Sequence, residues 1–140
     1  MPIVNKKTGL YGHFDTSSKK KMSELVVDEI RLLKKVVDDF AESGTIRNND
    51  RYCAESFSMY VLDPWLSAAE RDREYTVVNN RTIGQMKIMY DACVYAIDKK
   101  LYDSDTSMNV GEIKLFLERM LKHDYGQDKD FSQYKYNSTK

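Results

Sequence analysis

The chain has 140 residues, and 22 Lys and Arg against 22 Asp and Glu give a formal net charge of zero. With 41% hydrophobic and 31% charged residues it has the make-up of one soluble globular domain, long enough to bury a core without staples. No apolar run approaches the roughly 18 residues of a membrane span, and Met1-Pro2-Ile3-Val4-Asn5-Lys6-Lys7 lacks a signal peptide's apolar stretch, so a cytoplasmic protein with no membrane partner is expected.

Residues 1–21 read as a basic flexible arm: Lys6, Lys7, Lys19, Lys20 and Lys21 stand against Asp15, with Tyr11, His13 and Phe14 between them and no sustained period. Residues 22–126 read as a helical bundle domain. Residues 23–74 carry seven bases and twelve acids, so a basic arm adjoins an acidic third of the chain. From Ser23 the apolar residues Val26, Ile30, Leu33, Val37 and Phe40 recur at steps of three and four, which predicts an amphipathic helix, and Gly44 just beyond it is a C-terminal stop. Asn49 or Asp50 then caps a second helix carrying Tyr52, Cys53, Phe57, Tyr60 and Val61. Asp63-Pro64 ends it and starts a short third helix to about Glu74, because proline suits a first helical turn.

Tyr75 to Val78 is β-prone but short, and Asn79-Asn80 reads as a turn. A fourth helix is predicted from Thr82 to about Leu101, then a polar loop from Asp103 to Ser107, then a fifth helix with Ile113, Phe116, Leu117, Met120 and Leu121 on its apolar face, closed by Gly126. Residues 127–140 read as a polar, mobile tail with Phe131, Tyr134 and Tyr136 as scattered apolar points. The expected fold is therefore all-α, a single-domain bundle of about five helices. Residues 82–90 and 109–117 match type for type, each with a capping box (Thr82 with Gln85, Asn109 with Glu112) and a glycine at the second helical position. Such a glycine admits a close neighbour or leaves an open helix start for an anion.

The familiar catalytic arrangements are missing: no Walker-type loop, GxGxxG, GxSxG or HExxH occurs. His13 and His123 lack patterned partners, Cys53 and Cys93 are forty residues apart, and the calcium-like run from Asp103 fails at Met108 and Lys114. The enzymatic alternative is a helical carboxylate site for a metal and a phosphate, built from Glu24, Asp28, Asp38 and Asp39. It lacks the ExxE and ExxD pairs of such enzymes, offering only Asp91 and Asp98 on the next long helix. No catalytic, cofactor-binding or metal residue is named, and no cofactor is expected.

Binding is the leading expectation. Ten Tyr, seven Met and one Trp suit a protein interface. Trp65 with Leu66 is either an anchor or a core residue. Ile88 and Tyr95 lie off the Met86, Cys93, Ile97 stripe, so their helix is central in the bundle or buried in a dimer. The expected partner is a protein, with self-association among the expected assemblies. Nucleic acid is the alternative, contacted by Lys6, Lys7, Lys19, Lys20, Lys21 and by Arg81 at the start of the fourth helix. Fifteen Lys against seven Arg would suit an AT-rich viral or phage genome, and hence a small accessory factor acting on a larger machine.

Overall fold

The computed structural model describes residues 25, 27–46, 48–71, 82–125 and 131–138, and every regular element among them is helical. The arm with its five lysines, Arg81, and the segment from Asp72 to Asn80 lie outside the described residues.

α1 (Val27–Ala41) follows the predicted stripe: Ile30, Leu33, Val37 and Phe40 are buried, with Val36 beside them, and Val26 lies outside the described residues. Asp28 and Glu29 sit in its first turn, where acids interact well with the helix dipole. Its end is tied by the Ser43 hydroxyl, which donates to the Phe40 carbonyl at 2.7 Å, and Gly44 turns the chain with φ +82°.

α2 (Asn48–Phe57) does not stop at Asp63-Pro64. A π-helical turn (Ser58–Leu62) joins it to α3 (Asp63–Glu70), and Leu62 and Asp63 both keep helical dihedrals. The expected break is corrected by the way the proline is absorbed. Pro64 brings no N–H, and its ring would clash with the carbonyl four residues back; widening the turn relieves this. The Asp63 N–H accordingly bonds to the Ser58 carbonyl, five residues back. The result is one rod packed along α1, with Leu62 and Trp65 in the core.

α4 (Ile83–Asp98) starts as predicted. The Thr82 hydroxyl accepts from the Gln85 N–H at 3.1 Å, and the Thr82 N–H donates to Gln85 Oε1 at 3.0 Å. It ends three residues early, and Lys100 adopts φ +53° in the turn that follows. Its two apolar faces are explained by a central position: α5 and α1 pack on it from different sides, and Met86, Ile88, Met89, Ala92, Cys93 and Ala96 are all buried.

α5 (Ser104–Tyr125) begins five residues before the predicted Asn109 cap. Asp103 is the capping side chain, accepting from the Thr106 N–H at 2.7 Å, so the expected loop is the first helical turn. Asn109 is instead buried within the helix, 3% exposed, and its Nδ2 has no hydrogen-bond partner among the described residues. The second copy of the expected capping box is therefore absent. Among the described residues no helix is long and apolar enough to cross a membrane.

Residues 131–138 pack on α4, where the sequence suggests a mobile tail. Phe131, in a short 3₁₀ turn (Phe131–Gln133), meets the Tyr90 ring at 4.7 Å, and Phe131 and Tyr136 are buried. The Tyr136 hydroxyl donates to Asp91 at 2.7 Å, and Lys87 lies 3.1 Å from the same carboxylate and over the tyrosine ring.

Candidate functional site

Gly84 fixes the geometry at the start of α4. A Cβ there would stand 2.2 Å from the Tyr136 carbonyl oxygen, so only glycine lets the C-terminal backbone approach this closely. The Gly84 N–H donates to the Ser138 carbonyl at 3.0 Å. Of the two roles expected for this glycine, close approach is the one realised, and the N–H that an anion would need is already engaged.

That contact brings the C-terminal segment beside the α2–π rod and leaves a groove of about 330 Å³ between them. Phe57 and Ile88, both buried, form its floor; Tyr52, Tyr60 and Asn137 stand at its mouth. Thr82 and Gln85 also line it, but their capping box already pairs two of their polar groups. Cys53 reaches the wall half-buried, and burial and then the charge of Asp50 push its thiol pKa up, which disfavours a thiolate nucleophile. Cys93 is fully buried and pushed up to about 12 by desolvation, so it packs as a small apolar residue.

Tyr52 is 70% exposed, Met59 58% and Tyr60 68%, an apolar and aromatic strip along the outer side of the rod. Charge on the rod is one-sided: Asp50, Glu55, Asp63 and Glu70 stand against Arg51 alone between Asn48 and Glu70. Arg51 pairs with Glu55 at 3.2 Å, and Glu70 pairs with Arg31 of α1 at 2.9 Å.

The four residues expected at an interface do not form one surface. Trp65 and Ile88 are core residues, 3% and 1% exposed; Leu66 is half-buried against the core, and Tyr95 is half-buried with its ring 5.5 Å from Phe40. Of the two alternatives for Trp65, anchor or core residue, its burial between the rod and the bundle matches the core one. Tyr52, Met59 and Tyr60 were hidden from sequence reasoning because Tyr52 and Tyr60 read as part of the apolar face of their helix. The available signal was width: Tyr52, Cys53, Phe57, Tyr60 and Val61 span more of the helix than one buried stripe fills.

Of the acids considered for a metal site, Glu24 lies outside the described residues and four have local partners. Asp28 pairs with Arg31, Asp38 with Lys34 and the Ser58 hydroxyl, Asp39 with Lys35 and the Tyr102 hydroxyl, and Asp91 with Lys87 and Tyr136. Among the described residues no three His, Cys, Asp or Glu side chains gather as a metal-binding group. Comparison of the chain with protein-family models, curated proteins and solved structures finds no match.

Proposed function

We propose that the protein is a non-catalytic binding module, and that the groove beside the α2–π rod takes a basic, apolar-faced segment of another protein. The observation that carries this reading is the exposed strip of Tyr52, Met59 and Tyr60 flanking an apolar-floored groove. Tyrosines supply large contact area with few rotatable bonds, and methionine adapts to the shape it meets. The excess of acids on the rod favours Lys and Arg at the partner's edges, where they speed encounter and fix register more than they tighten the complex. An accessory or assembly role on a larger machine follows from this reading.

The test is selection of random-sequence peptides on the immobilised full chain, then fluorescence anisotropy in solution. Enriched peptides are expected to be Lys- and Arg-rich with apolar residues three and four apart, and to weaken as salt rises from about 50 to 200 mM. Tyr60→Asp, at an exposed position, is expected to weaken them by about tenfold or more. No enrichment, or binding unchanged in Tyr60→Asp, would overturn the proposal. Steeply salt-dependent binding of DNA or RNA in its place would move the function to Lys6, Lys7, Lys19, Lys20, Lys21 and Arg81.

A further inference from the structure

The face of α5 turned away from the core carries a second feature. Ile113, Phe116, Leu117, Met120 and Leu121 are buried, whereas Met108 is 62% and Leu115 47% exposed on the opposite side. Gly111 lies between them, and a Cβ built there would meet nothing within 4 Å. Ser104, Met108, Gly111, Leu115, Glu118 and Lys122 follow one another at alternating steps of four and three, the spacing of a helix-pairing seam.

The two glycines that match in sequence now differ in use. The space over Gly84 is filled by the backbone of residues 135–136 of the same chain; the space over Gly111 is filled by none of the described residues. Glycine inside a helix costs helix stability, and among the described residues no contact over Gly111 offsets that cost. The charge along α5 is also polarised. Asp103, Asp105 and Glu112 mark its first half with no base among them; Lys114, Arg119 and Lys122 outnumber Glu118 and Asp124 in the second.

We propose that α5 pairs antiparallel with α5 of a second copy of this chain, crossing between Gly111 and Glu112. In this register Met108 of each copy packs against Leu115 of the other, the glycines admit close backbone approach, and each acidic end lies beside a basic end. A parallel pair would set acids against acids, so the charge pattern selects the antiparallel arrangement. The interface is two-fold, so each contact occurs twice. It lies on α5, apart from the lining of the rod's groove, and the two proposals stand or fall separately.

Sedimentation equilibrium of the full chain over a concentration series, with and without the change Leu115→Asp, tests this. A mass rising from one copy to two is expected, with association weakened by about a hundredfold or more in the variant, because two copies of the change meet in each dimer. Circular dichroism confirms that the variant stays helical. In a Cys53→Ser background, an equimolar mixture of Met108→Cys and Leu115→Cys chains is expected to form a mixed disulfide on mild oxidation. Met108→Cys alone is expected to form little. A monomer at every concentration, a dimer indifferent to Leu115→Asp, or self-linking of Met108→Cys at the rate of the mixture would each overturn the proposal.

Discussion

Glycine and alanine at two matched positions separate tertiary from local effects at the scale of single residues. Gly84→Ala forces the Tyr136 carbonyl away, and a loss of about 1 to 3 kcal/mol is expected, as for overpacked cores. Gly111→Ala meets none of the described residues, and a gain of up to about 1 kcal/mol from helix propensity is expected. Urea unfolding at micromolar protein, where association contributes least, measures both; equal effects of the same sign would refute the structural distinction. Asn109 makes a third test. Its buried Nδ2 has no partner among the described residues, so Asn109→Leu, similar in size, is expected to stabilise by about 1 kcal/mol because a desolvated amide is removed. Destabilisation in the same titration would mean that the amide is satisfied in solution.

The start of α5 gives the clearest pH signature at the scale of elements. The Thr106 backbone N–H, above all, holds the Asp103 carboxyl below its ordinary value. A carboxyl depressed in the folded state contributes stability that is present above its unfolded pKa and is lost as pH falls through the folded value. Acid titration of stability is therefore expected to lose part of its slope below pH about 4 in Asp103→Asn, and an unchanged slope would contradict the cap. The C-terminal segment is the second element with a measurable role. Removing residues 131–140 uncovers Tyr90 and Gly84 and forfeits the burial of Phe131 and Tyr136, at a cost of about 3 kcal/mol or more. Thermal unfolding of the shortened chain checks this, and an unchanged midpoint would show the segment to be detached in solution.

The elements legible in the sequence are those whose signals are local. The three- and four-residue steps of α1 and the Thr82–Gln85 box of α4 depend on residues a turn apart, and both are found where expected. The start of α5 was not legible: Asp103 to Ser107 is as polar as a loop, and a first turn needs no apolar residue. Pro64 reads as a boundary because a proline usually ends an α-helix; that a π turn absorbs it depends on packing of the rod against α1. Burial of Trp65 was legible only as one of two alternatives, and exposure of Tyr60 only through the width of its helix's apolar face, since residue type does not say which side of a helix finds a neighbour. Close packing on Gly84 was legible only as one of two alternatives, and the segment that fills it lies fifty residues away in the chain.

The described residues form a bundle organised on α4, with α1 on one flank carrying the rod, α5 on another and the C-terminal segment across the start. The proposed binding site is the groove that this arrangement leaves, whose wall is built jointly by the rod, α4 and residues 136–137. Amide and methyl NMR of the full chain, titrated with a selected basic peptide, tests this most directly. Shifts are expected to concentrate at Tyr52, Tyr60, Gln85, Ile88 and Asn137 and to be absent from Met108 and Leu115. Shifts centred on α5 or spread over the arm, with the groove unmoved, would contradict it.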